Sequence, residues 1–274
     1  MSRSRARARR KAGLGTPAVI VPPALIGVAF LLLPTIALLV RTPWGDLGRI
    51  YRHQQVWTAV RISVESSLEA TAASLVLGVP LAWMLARLRV PGMGLARAIV
   101  TIPLVLPPVI GGVALFSALG RHGLLGKPID GLLGHPLPFT YPAIVVAQTF
   151  VAMPFLVITV EGAFRTADRG VEEAAATLGA SRGRIFSRVT LPLILPSIVA
   201  GSVLCWARAL GEFGATLLFG GNTPGRTQTL PTAVLTVFND NPADAPALSL
   251  PLMMIALVVL GVMRDKWIRP VAAS

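Results

Sequence analysis

The sequence predicts an all-α, polytopic membrane protein of about six transmembrane helices, and three observations carry this. Of 274 residues, 54% are hydrophobic and only 14% charged, against about a quarter charged in soluble domains. The mean hydropathy is +0.70. The apolar residues are gathered in blocks long enough to cross a bilayer, which takes about 20 residues of helix. A soluble chain would have to hide all of this surface in one core.

The blocks cover roughly residues 17–40, 64–86, 98–119, 141–161, 193–219 and 246–264. The stretch from Thr16 to Val40 is longer than the 7–15 residues of a cleavable signal, and no small-x-small cleavage site follows it. An uncleaved first span is expected. Pro34, Pro80, Pro103 and Pro154 lie inside blocks, as does Pro107-Pro108. In water a helix-interior proline costs about 3 kcal/mol, but in a membrane bundle neighbouring helices satisfy the freed carbonyls. The doublet, followed by Gly111-Gly112, predicts a kink or break in the third span. Arg61, Glu65 and Glu69 at i, i+4 spacing predict an ion-pair ladder at the outer end of the second. Residues 220–245 carry Gly220-Gly221-Asn222, Pro224-Gly225 and Asn239-Asp240-Asn241-Pro242, which is turn chemistry. Cys205 is the only cysteine and lies in an apolar stretch. It reads as a packing residue, not as part of a disulfide framework.

The net charge of +13 would suit a nucleic-acid binder, but the charges sit between the apolar blocks. Nucleic acid is not an expected partner; membrane lipid is. Arg3, Arg5, Arg7, Arg9, Arg10 and Lys11 precede the first block. They share one side of a six-span topology with Arg87, Arg89, Arg97, Arg165, Arg169, Arg182, Arg184, Arg188, Arg264, Lys266 and Arg269. That side holds seventeen cations and the other holds seven, with Arg208 left inside a span. The excess predicts that this side, with both termini, is cytoplasmic.

The loop between the fourth and fifth blocks carries five arginines and an ordered spacing. Glu173-Ala174-Ala175 is followed after three residues by Gly179, then after nine more by Val189-Thr190-Leu191-Pro192. Residues 171–179 favour a short helix, with Asp168, Glu172 and Glu173 near its positive end and Gly179 as a stop. Arg182 to Leu191 reads as a second amphipathic stretch leading into the fifth span. A helix with a small-residue face can seat closely in a partner's groove.

This spacing resembles the EAA loop of bacterial ABC importer permeases, with Val189 where that family most often has Ile. The resemblance implies a type I importer permease architecture. It also implies that Glu172, Glu173, Ala174, Ala175, Gly179, Leu191 and Pro192 couple the chain to a separate ATP-binding subunit. A second stretch is similar to the molybdate branch, close to the sulfate/thiosulfate permeases. It comprises Arg208-Ala209-Leu210-Gly211-Glu212-Phe213-Gly214-Ala215-Thr216 and Gly221-Asn222-Thr223-Pro224-Gly225-Arg226-Thr227-Gln228-Thr229-Leu230-Pro231. Leu106-Pro107-Pro108-Val109-Ile110-Gly111-Gly112 fits the same branch, and the likeness covers about residues 60–264. It implies a permease homodimer, two ATP-binding subunits, an extracytoplasmic substrate-binding protein, and ATP and Mg bound by the partner ATPase only. The expected divisions are a basic tail 1–15, a first span and external linker 16–58, a transport domain 59–264 and a C-terminal tail 265–274.

Arg208 and Glu212, at i, i+4 in the fifth span, share a helix face and can pair, and an ionised group at a helix centre costs about 2.5–3.5 kcal/mol on insertion scales. They must therefore face the bundle or a wet path, with Thr216 one turn on. Either they set the electrostatics of an anion pathway or they form a structural ion pair. Asn222, Thr227, Gln228 and Thr229 offer neutral donors near the outer mouth, or make a turn that satisfies itself.

No phosphate-cradling G-x-x-x-x-G-K-[ST] is present: around Gly126-Lys127, Arg121 takes the first-glycine position and Pro128 the Ser/Thr position. His53, His122 and His135 are far apart and lack cysteine partners, so the sequence offers no metal site. No catalytic constellation appears, and a transport subunit is expected, not an enzyme. The rival classes are an ion-coupled secondary transporter, which should show two related halves, and a membrane-embedded enzyme, which should cluster His or carboxylates. Neither explains the Glu173 loop.

Overall fold

The computed structural model describes residues 18–268 except Arg89, with side chains described from Val19 to Gly261. The basic tail, Arg89, Arg269 and the side chains of Arg264 and Lys266 lie outside the described residues. All regular structure within them is helical.

Helix α1, Val21–Arg41, buries none of its residues against the rest of the chain. Helix α2, Gln54–Arg87, is 34 residues long and starts ten residues before the apolar block it was expected to match. Its first turns are polar enough to escape a hydropathy window yet contain good helix formers. Its buried face is mostly small: Ala59, Ser63, Ser66, Ser67, Ala70, Thr71, Ser74 and Gly78. Ser66, Ser67, Thr71 and Ser74 return their hydroxyls to carbonyls of their own helix. Neighbouring backbones can therefore come close, the usual device where lipid removes the hydrophobic drive between helices.

The third block is two helices, α3, Met93–Val105, and α4, Pro108–Leu119, bent by 118°. The kink-or-break expectation is thus met as a full break. Pro103 stays within α3, whereas the doublet ends it. Each proline disfavours the helical region for the residue before it. Leu106 (ψ 129°) and Pro107 (ψ 132°) are accordingly both extended. A short helix α5, Gly126–Leu133, follows, outside the apolar blocks.

Helix α6, Tyr141–Thr166, is the centre of the bundle, with twelve buried residues. It packs against α2 and α9, Leu191–Leu210, through Ala70, Ala82, Leu85, Leu156, Val160, Phe164, Ile194 and Cys205. Between α6 and α9 lies α7, Arg169–Thr177. The expected amphipathic stretch leads into the fifth span without a break: α8, Arg182–Ile185, passes through a π-helical turn, Phe186–Thr190, directly into α9.

The fifth span also differs from the unbroken block 193–219. Helix α9 stops at Leu210, and the chain resumes as a π-helical turn, Thr216–Gly220. The turn-rich segment 220–245 contains a helix, α10, Leu230–Asp240. Ser63 Oγ on α2 accepts from the Leu230 N–H at 2.7 Å and holds the start of α10. Helix α11, Ala245–Ile268, completes the described chain. Among the described residues four helices are long and apolar enough to cross a membrane, or five if the bent pair α3–α4 is one span. The apolar described part of α11, Ala245–Gly261, is shorter.

Candidate functional site

Helix α7 forms where the sequence places it. Asp168 caps its start, accepting from the Gly170 N–H at 2.8 Å. Gly179 ends it at φ 81°, a left-handed conformation that strains any residue with a Cβ. Around it the Gly179 N–H reaches Ala176 O at 3.0 Å and the Ala180 N–H reaches Ala175 O at 3.1 Å. That pair of bonds is the Schellman arrangement that satisfies a helix's last carbonyls.

The two adjacent glutamates of α7 point to different places. Glu172 is half-buried, and one of its oxygens, Oε1, accepts from Arg87 Nη2 at 2.7 Å and from Thr190 Oγ1 at 2.9 Å. Arg87 ends α2 and Thr190 closes the π-helical turn before α9. Glu173 is exposed, as are Ala174 and Gly179, and among the described residues its carboxylate has no hydrogen bond or ion pair. Ala175 and Leu191 are half-buried and Pro192 is exposed. The loop therefore shows Glu173, Ala174 and Gly179 outward while Glu172 faces its own chain.

At the same end of the bundle, Glu161 Oε1 takes Arg97 Nη2 at 2.8 Å and Arg165 Nη2 at 3.0 Å. Arg97 Nη2 also donates to Leu85 O at 3.2 Å. This cluster joins α2, α3 and α6, and the sequence analysis did not find it. Arg165 stands four residues after Glu161, which was a legible signal; Arg97, 64 residues away, gave none.

Arg208 and Glu212 meet even though the helix between them has ended. Arg208 Nη1 lies 2.6 Å from Glu212 Oε2, with the arginine side chain 27% exposed and the glutamate 1%. The other Glu212 oxygen accepts from the Ala215 N–H at 2.8 Å. Glu212 is thus both the partner of Arg208 and the cap of the chain that restarts beyond the break. Thr216 is buried and its hydroxyl has no partner among the described residues, as is true of both amide atoms of Gln148 on α6.

The two breaks back onto each other. A Cβ on Gly214 would lie 2.9 Å from Val109 N and 3.1 Å from Pro108 Cβ. One on Gly112 would lie 2.9 Å from Leu218 Cβ and 3.1 Å from Ala215 Cα. Each glycine admits the backbone of the other broken span.

Beyond the breaks, the donors at 222–229 are largely engaged nearby. Thr227 Oγ1 accepts from the Thr223 N–H at 3.0 Å, and Thr229 Oγ1 lies 3.3 Å from Thr232 Oγ1. Asn222 Nδ2 donates to Thr236 Oγ1 at 3.0 Å. Gln228 also lines a cavity of about 310 Å³ with Arg49, His53, Thr236, Asp240 and Asn241. Arg49 pairs there with Asp244 at 2.9 Å, a bond that raises the guanidinium's pKa above its ordinary value. In the expected ladder on α2, Arg61 and Glu65 pair at 2.7 Å, but Glu69 instead accepts from Tyr141 Oη at 3.0 Å. Among the described residues no three His, Cys, Asp or Glu side chains come together as a metal site.

The site thus consists of apolar helices, with two of the spans broken against each other, and an amphipathic helix between α6 and α9. The chain belongs to the family of binding-protein-dependent transport system inner membrane components, whose profile matches residues 74–270. It is 45% identical over 247 residues to the molybdenum transport system permease protein ModB of Mycobacterium bovis, covering 90% of this chain and 93% of that one. It is 38% identical over 212 residues to the protein of the same name from Escherichia coli K12, covering 77% and 93%. The fold matches a bacterial alginate ABC transporter solved with an alginate pentasaccharide-bound periplasmic protein, with a TM-score of 0.67, 19% identity and coverage of 93% and 95%. It also matches the MetNI methionine ABC transporter in an inward-facing conformation, with a TM-score of 0.53, 20% identity and coverage of 77% and 94%. The protein is a multi-pass component of the inner membrane and a transport subunit, not an enzyme. Family membership decides against the ion-coupled alternative.

Proposed function

We propose that the chain is the permease of an ATP-driven importer of an oxyanion, molybdate first, with tungstate or sulfate/thiosulfate as the alternative cargo. The observation that carries the cargo is 45% identity to a molybdenum transport permease across nine-tenths of the chain. Two copies enclose one pathway, two ATP-binding subunits seat on the two α7 helices, and an extracytoplasmic binding protein delivers cargo to the opposite face. ATP and Mg are held by the ATPase; this chain binds no cofactor. The seventeen-to-seven bias of cations supports placing both termini and α7 in the cytoplasm.

The exposed face of α7, with Glu173, Ala174 and Gly179, is the docking surface, Ala175 lies beneath it, and Leu191-Pro192 leads its motion into α9. Gly179→Val is expected to distort the turn after α7 and to reduce ATPase co-purification at least several-fold, while Gly183→Val, in open space at the next turn, does not. Arg208 presents a cation to the pathway, held by Glu212, with Thr216 beside it. Asn222, Thr227, Gln228 and Thr229 shape the outer mouth, where Gln228 faces the cavity and the others brace the loop.

The deciding experiment is cargo-stimulated ATP hydrolysis by the reconstituted importer, comparing molybdate, tungstate and sulfate. Stimulation by molybdate is the expected result. Stimulation by sulfate alone moves the protein to the neighbouring branch, and no association with an ATPase overturns the reading.

A further inference from the structure

The chain itself ties α7 to two spans. Ala167-Asp168 leads into it from α6, and residues 178–181 lead from it to α8 and α9. No backbone connects α7 to α2, and the two helices do not pack extensively. The described polar link between them is Glu172, whose Oε1 takes Arg87 at 2.7 Å and Thr190 at 2.9 Å. We propose that Glu172 is a positioning residue that fastens the coupling helix to the second span, so that α2 moves with the ATPase although no chain segment joins them. This rests on the reading of α7 as the coupling helix.

The geometry suits a fastener better than a chance surface pair. Arg87 is 11% exposed and Glu172 23% on their side chains. Exposed ion pairs contribute little because water and salt screen them and both side chains are mobile. Here Thr190, itself buried, holds the same carboxylate oxygen from a third element and limits its rotation. A charge-assisted bond of this length is roughly twice as strong as a neutral one. Glu173, one residue on, is exposed and has no such bond among the described residues, so the two glutamates divide the work.

The load does not stop at α2. Two residues before Arg87 in α2, Leu85 O accepts from Arg97, which is locked on Glu161 beside Arg165. Arg97 belongs to α3, the half-span whose other end opens onto the break at Leu106-Pro107. The last turn of α2 therefore receives α7 on one side and holds α3 on the other. Displacing α7 moves α6 and α9 directly; α2 and α3 follow through their packing on α6, and Glu172 adds a direct link from α7 to the end of α2.

The test uses the full importer in proteoliposomes and reads molybdate imported per ATP hydrolysed. Glu172→Gln and Arg87→Met are expected to lower that ratio at least five-fold. The exchange of charges, Arg87→Glu with Glu172→Arg, is expected to recover at least half of it. A contribution to folding alone would lower the amount of complex and leave the ratio unchanged, and that result overturns the proposal, as does an exchange no better than the single changes. A second readout is independent of cargo. Spin labels replacing Met84 and Leu178, both exposed, in a Cys205→Ser background, report the separation of α2 and α7. Glu172→Gln is expected to at least double the width of that distance distribution, and an unchanged width overturns the fastener. A wild-type importer that never couples hydrolysis to any oxyanion would instead sink the functional reading, and the label widths would still decide the role of Glu172.

Discussion

Replacing Gly214 by valine is expected to remove most of the folded protein. The first added carbon would sit 2.9 Å from a backbone nitrogen and 3.1 Å from a proline ring carbon. Neither is the free end of a flexible side chain, so the two broken spans would have to separate. Overpacking typically costs about 1–3 kcal/mol. A β-branched residue against rigid backbone belongs at the top of that range or above it. The fourth helix would lose its seat on the π-helical turn at the same time, because Gly112 meets Ala215 and Leu218 across the same junction. The check is the yield of monodisperse protein in detergent and its thermal midpoint. Gly214→Ala should fall between wild type and valine. Gly27→Ala, in α1 with nothing within 4 Å, should be neutral or slightly stabilising, since alanine is the better helix former. A Gly214→Val protein that melts with wild type would mean that the breaks are not in mutual contact.

The second large effect is expected at Arg208. Arg208→Leu leaves the Glu212 carboxylate 1% exposed with no cation. Removing one partner of a buried pair costs about 3–5 kcal/mol. Folded protein should fall sharply. Adding Glu212→Gln should recover much of it, because an amide oxygen can still accept from the Ala215 N–H and no longer needs a cation. The double variant therefore separates the two roles of the pair. If Arg208 serves the anion, the double variant folds and does not transport. Wild-type molybdate uptake by the folded double variant would leave the pair with a structural role alone.

Much of this was legible in the sequence, for reasons that can be stated. Apolar blocks report spans because the bilayer imposes a length, and α1 and α6 begin within about four residues of the expected positions. α7 was legible because its cap, its propensity and its stop are all local: Asp168, the alanines and Gly179 lie within a dozen residues. Pro107-Pro108 announced a discontinuity because proline acts on the residue before it.

What escaped is just as physical. The end of α9 at Leu210 is accompanied by Glu212 turning to cap Ala215 and by the close approach of Gly214 to Pro108 and Val109. No window along the chain contains both sides of that contact. Arg97 reads as a surface cation of the third span until Glu161 and Leu85 O are placed beside it. Helix α10 was hidden among turn residues because its first turn is held by Ser63, 167 positions earlier.

Helix α1 has one more implication, and it concerns the order in which the chain is made. It is the most apolar of the four long helices, with a mean hydropathy of 2.5 in its best window, and none of that window is buried against the chain, whereas over half of the corresponding window in α6 is. A segment that needs nothing from its neighbours can settle in lipid as soon as it leaves the ribosome, before any of the bundle exists. The basic run ahead of it would then fix which way round it settles. Helix α6, which buries so much of itself, reaches its final surroundings only once α9 has been synthesised. Among the described residues, the segment that meets the membrane first is also the one that buries nothing in the core.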